Sequence, residues 1–180
     1  HLPRLPQPVI AAINGVAAGA GLSIALASDI RIASDQARFS SIFVKRSLVP
    51  DNGASYFLPA LAGAGVASEM ALTGRIYDAQ WALEKGLVNK VVPADSLMEE
   101  VNILAASMAK EMGARRTIAR VYAKVFQDPS TFVYQGHFGI DRLLSLEELS
   151  ALELAQEIRN PGSVMVEHFA RGEMTVQEAV

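Results

Sequence analysis

The chain has 180 residues, no cysteine and a formal net charge of −3, with 51% apolar and 19% charged residues. That balance supports a packed core in one domain, or a core with a helical appendage. It excludes disulfides and thiolate chemistry, and it offers neither a basic run for nucleic acid nor, with three scattered histidines, a histidine–cysteine metal cluster. A start at His1 rather than methionine is expected of a processed, tagged or truncated chain.

In chain order, Pro8 opens an apolar run from Val9 to Ile13, the length of one buried strand. Asn14-Gly15 predicts a turn, and Gly19-Ala20-Gly21 then leads into a helix over Leu22–Ala27. A strand–turn–helix junction of this kind leaves backbone N–H groups and the positive helix end open to a ligand oxygen. Three other readings compete for it. A dinucleotide site needs a third small residue, but Ile24 stands there, and no acidic residue lies near the ~20-residue offset. A membrane span is suggested by the lack of charge from Leu5 to Ser28, yet Pro8, Asn14 and the glycines interrupt it. The plainest alternative is that the glycines only let a helix pack on a strand.

Asp29–Ala33 and Ala37–Ser41 alternate as short strands. Asp51 lies between an extended segment and a helix start, where a carboxylate complements the helix end by about 0.5–1 kcal/mol. Asn52 is placed to cap a helix over Asn52–Leu61. A further helix, Gly65–Leu72, ends at Thr73-Gly74. Asp78 is expected to cap Ala79–Lys85, Gly86 to stop it, and Val88–Val92 to form a strand. From Ser96 onward the pattern predicts helices over Leu97–Met112, Arg115–Gln127, Thr131–Ile158 and Ser163–Arg171. The shift near Asp95 is the predicted boundary between a core, 1–95, and a helical region, 96–180. Arg115, Arg116, Arg120 and Lys124 read as a solvated helix face, and Phe126, Phe132 and Phe138 as core packing.

Three segments carry a resemblance: PVIAAINGVAAGAGLSIALASDIRIAS (Pro8–Ser34), FSSIFVKRSLVPDNGASYFLPALAG (Phe39–Gly63) and ALTGRIYDAQWALEKGLVNKVVP (Ala71–Pro93). In order and approximate spacing they resemble the crotonase superfamily of enoyl-CoA hydratases and isomerases. The resemblance implies an α/β crotonase-like core of spiral ββα units, present in part, with a C-terminal helical oligomerisation region. The family's further N-terminal portion, mainly strands, has no counterpart ahead of Pro8. The chain is therefore expected to be a fragment, or to have that part on another chain; a shortened protein that folds differently is the third option. The portion normally supplies the first oxyanion-hole donor and several CoA contacts.

By the same resemblance, the backbone N–H of Ala20 is the second oxyanion-hole donor, with Gly19, Gly21 and Gly53 in the substrate site. The two glutamates with which the family's hydratases add water belong at Ser23 and Phe43, so hydration by that pair is not expected. Phe43 is expected to line the acyl pocket or to pack in the core. The form V-P-D-x-G-x-S-x-x-L-P around Asp51 resembles relatives that use an aspartate here, including ring-1,2-epoxyphenylacetyl-CoA isomerase-like enzymes. The nucleophilic aspartate of 4-chlorobenzoyl-CoA dehalogenases comes from the same neighbourhood. The resemblance thus implies an enoyl-CoA isomerase with Asp51 as the proton-transferring base. Neither metal nor redox cofactor is expected, coenzyme A being part of the substrate. A homotrimer or dimer of trimers is implied, without nucleic-acid or membrane partners, in the cytoplasm or, in a eukaryote, the mitochondrion or peroxisome. A hydratase, a hydrolase or dehalogenase, and a non-catalytic acyl-CoA-binding protein are the alternatives.

Overall fold

Strand β1 (Ile10–Ile13) pairs in parallel with β3 (Ile30–Ser34), Ile10 opposite Ile30, and β3 pairs in parallel with β6 (Lys90–Val92). A second sheet takes β2 (Val16–Ala18), β4 (Arg38–Ser40) and β5 (Tyr77–Asp78), the first pair parallel and the second antiparallel. The chain thus alternates between sheets: β1 then β2, helix α1 (Ala20–Leu26), β3 then β4, helix α2 (Ala54–Thr73). This computed structural model describes residues 2–122, 133–159, 163–169 and 174–179. It divides into two compact units, His1–Ala105 and Ala106–Val180.

In the first unit most breaks fall where the local chemistry requires them. Asn14 and Gly15 bend the chain from one sheet to the other. Strand β2 is missing from the sequence-based prediction, because three residues between glycines are too short to show a period. The two helices expected at Asn52–Leu61 and Gly65–Leu72 form one run, α2, interrupted at Gly63 (φ 80°, ψ 160°). It ends at Gly74 in the left-handed conformation, whose N–H donates to the Met70 carbonyl at 3.0 Å. Helix α3 (Ala79–Glu84) is capped as predicted: the Trp81 N–H donates to Asp78 Oδ1 at 2.8 Å.

The core gathers Leu22 and Leu26 of α1, Phe39 of β4, Leu58 and Met70 of α2, and Leu87. Each such large side chain stabilises the fold by about 1.5–3 kcal/mol relative to exposure. Arg31 is the one charged group of β3, and it is buried. Its Nε donates to the Leu87 carbonyl at 2.8 Å and its Nη1 to that of Ser28 at 2.6 Å, fixing β3 to the turn after α3. Burial lowers its guanidinium pKa from the ordinary value, a shift that the Asp29 carboxylate opposes.

Helix α4 (Leu97–Glu111) forms as predicted and spans the boundary between the units. The second unit departs from the helical expectation. Strand β7 (Ile118–Arg120) pairs in parallel with β8 (Arg142–Leu144) where helices were expected. The reason is legible afterwards: Thr117, Ala119 and Val121 are buried while Ile118, Arg120 and Tyr122 are exposed, a period of two. Between them α5 (Tyr134–Phe138) stops at Gly139, whose φ is 63°. Helix α6 (Leu146–Arg159) follows β8, so the long helix expected over Thr131–Ile158 is broken into three elements. The last predicted helix is instead a strand, β9 (Ser163–Phe169), antiparallel to β10 (Met174–Ala179). Its β-branched Val164 and Val166 suit a pleated pair better than a helix. Lys124, Phe126 and Phe132 lie outside the described residues. Among the described residues, no helix is long and apolar enough to cross a membrane.

Candidate functional site

The glycine turn opens α1. Gly19 has φ 54° and ψ −124°, a conformation that a side chain would strain. Its N–H donates to the Ser40 carbonyl at 3.1 Å, continuing the β2–β4 pairing, and its carbonyl accepts the Ser23 N–H at 3.1 Å. The N–H groups of Ala20 and Gly21 have no acceptor among the described residues, and both residues are exposed. Ala20 is the first helical residue and has no positive φ, so alanine serves there as well as glycine.

Asp51 stands before α2 and is exposed. Its Oδ1 accepts a hydrogen bond from Asn52 Nδ2 at 2.9 Å. Its backbone carbonyl accepts the Ala54 N–H at 2.8 Å and the Ser23 hydroxyl at 3.0 Å. Asn52 and Gly53 then reverse the chain with φ 48° and 89°. Gly53, not Asn52, is the N-cap residue of α2, and no side chain caps the helix. The expected Asn52 cap is thus corrected: the positive φ turns the Asn52 amide toward Asp51. Gly53 is required twice, by its φ and because a Cβ there would meet Phe57 Cε2 at 2.8 Å.

Ser23 joins the two halves of the site. It is 0% exposed, and its hydroxyl lies 3.2 Å from the Gly19 carbonyl and 3.0 Å from that of Asp51. The glycine turn and the Asp51 loop are therefore linked through the Ser23 hydroxyl, which lies 28 residues before Asp51 in the chain. Phe43, at 5% exposure, belongs to the core, with its ring 3.9 Å from where a Gly19 Cβ would lie. Of the two placements expected for it, core packing is the one seen here. A cavity of about 520 Å³ opens beside Asn52 and Gly53, walled by Ile24 of α1 and Ala27 just after it, by Phe57, and by Arg4.

Sequence reasoning missed two groups, the Ser23 hydroxyl and the Asn52 amide. A serine among the buried positions of α1 was the available signal, since a buried hydroxyl needs a partner. Arg115, Arg116 and Arg120 are exposed, as expected of a solvated surface, although Arg120 lies on a strand. Among the described residues, no group of three or more histidine, cysteine, aspartate or glutamate side chains could hold a metal ion.

The family profile described as enoyl-CoA hydratase/isomerase matches residues 1–137. The 1,2-epoxyphenylacetyl-CoA isomerase of Escherichia coli K12 is 43% identical over 111 residues, 62% of this chain and 42% of that protein. A probable enoyl-CoA hydratase, EchA12 of Mycobacterium tuberculosis H37Rv, is 46% identical over 109 residues, 60% of this chain and 38% of that protein. Among solved structures, enoyl-CoA hydratase EchA16_2 of Mycobacterium paratuberculosis has a TM-score of 0.58 at 36% identity, covering 87% of this chain and 62% of that one. The chain spans about two fifths of the length of the first two relatives. Its alternating two-sheet core is the crotonase fold, seen in part.

Proposed function

Because the chain belongs to the enoyl-CoA hydratase/isomerase family, we propose that it forms part of an acyl-CoA enzyme that moves a double bond by proton transfer. The observation that carries this reading is the exposed Asp51 carboxylate, on a backbone that accepts the Ser23 hydroxyl of α1, with a serine and a phenylalanine where water-adding glutamates would stand. Ala20 donates its free N–H to the thioester oxygen. Asp51 takes a proton from the carbon next to the double bond: the C–H bond breaks, a carboxyl O–H forms, and the electron pair spreads into a dienolate. The same carboxyl then returns the proton to the far carbon. One residue performs both transfers if it reaches both carbons. A preorganised backbone donor to such an oxygen is worth roughly 10²–10³ in rate.

The shuttle uses neither metal nor redox cofactor, and coenzyme A enters as part of the substrate. The acyl group occupies the space beside Gly53 and Phe57, with Gly19 and Gly21 allowing close approach. Phe43 backs the turn from the core. We extend the proposal to a homotrimer or dimer of trimers, on the family resemblance alone.

A hydratase is the second reading, favoured by the name of the 46%-identical relative and opposed by Ser23 and Phe43. The test is to offer the intact protein 3-enoyl-CoA and 2-enoyl-CoA separately. Conversion of the first into the second supports the isomerase, and hydration of the second without isomerisation overturns it. Binding of both without turnover points to the non-catalytic alternative.

A further inference from the structure

We infer that Ser23 is a positioning residue, holding the peptide that carries the base onto the glycine turn; this rests on the isomerase reading of Asp51. Ser23 is wholly buried on a helix whose other buried members are leucines and an alanine. A hydroxyl in such a place destabilises the fold unless it is bonded. The bond to Gly19, four residues back, is one that any helical serine can make. The hydroxyl has one proton, shared between the two carbonyls, and the shorter contact, to Asp51, is the one an ordinary helical position does not supply.

The consequence lies in the geometry of that carbonyl. It accepts from Ala54 N–H on one side and from Ser23 Oγ on the other, so both of its lone pairs are engaged. The peptide plane after Asp51 is held from α1 and from α2 at once. The following residues, Asn52 and Gly53, both have positive φ, so the carboxylate leaves a backbone with little freedom. An exposed side chain needs such a base, because displacement of a reacting group by about 1 Å costs on the order of 10²-fold in rate. The same hydroxyl touches the turn that presents Ala20, so it sets the spacing between proton carrier and oxygen donor. It does so without reaching the substrate, being buried.

The test compares Ser23→Ala, Ser23→Thr and Asp51→Asn in the intact protein, with 3-enoyl-CoA as substrate. Ser23→Ala is expected to lower kcat about tenfold, or about 1.4 kcal/mol, with KM within about twofold. Ser23→Thr keeps the hydroxyl and is expected to recover most of kcat. Where Ser23→Ala fails to fold, Ser23→Cys, nearly isosteric with a weak donor, takes its place. If Asp51→Asn is inactive but the serine variant keeps its kcat, the positioning role is refuted and the base stands. A fall in kcat matched by an equal rise in KM also refutes it. If Asp51→Asn isomerises as the wild type does, the function reading fails and takes this inference with it.

Discussion

Replacing Gly53 by alanine strains the turn that carries Asp51 in two separable ways. The backbone has φ 89° there, where a Cβ costs about 1–2 kcal/mol. The new Cβ also lies 2.8 Å from Phe57 Cε2 and 3.1 Å from Cδ2, so the ring must move. Phe57 is half-buried and borders the cavity, which places this overlap near the low end of the ~1–3 kcal/mol typical of overpacking. Alanine offsets some of this, about 0.4–1 kcal/mol, by restricting the unfolded chain. The net expectation is a loss of about 2 kcal/mol, or a fall in urea midpoint of about 1 M at the usual slopes. Gly21→Ala is the control: it has no positive φ and nothing within 4 Å of its Cβ, so it is expected to leave stability unchanged or raise it by up to ~1 kcal/mol. Equal urea midpoints for wild type and Gly53→Ala would refute the account of this turn.

Other expectations concern single contacts. Asp78→Ala removes the acceptor for Trp81 N–H and is expected to cost about 1 kcal/mol in denaturant unfolding. The Lys110 ammonium and the Thr117 N–H hold the Asp141 carboxyl below the usual carboxylate value. A pKa depressed in the folded state contributes stability that is complete above the ordinary value of about 4 and lost as pH falls through the folded one. Unfolding followed from pH 7 to 2 is therefore expected to show a decline at the acid end that Asp141→Asn reduces; an unchanged pH profile in that variant contradicts it.

Legibility in the sequence followed the range of the causes. The Gly74 and Gly86 stops and the Asp78 cap arise within one turn of chain, and they sit where the residues predict. Strands β1, β3 and β4 also lie within a residue or so of prediction, β1 as an apolar run bounded by Pro8 and Asn14-Gly15 and the other two through alternation. The second unit departs from the helical expectation where TIARVY supports both periods: partners from Arg142 to Leu144, far along the chain, select the strand. The site divides in the same way. Asp51 and the glycine turn stand out through family motifs, whereas the Ser23–Asp51 bond joins elements that only the fold brings together.

The central claim is that Asp51 carries the proton. The most direct test is steady-state conversion of 3-enoyl-CoA to 2-enoyl-CoA by the intact protein and its Asp51→Asn variant. Removing a general base of this kind is expected to lower kcat by about 10²–10⁴, with the variant folded and still binding acyl-CoA. Isomerisation at the wild-type rate by Asp51→Asn, or hydration of 2-enoyl-CoA that survives the substitution, would contradict the account.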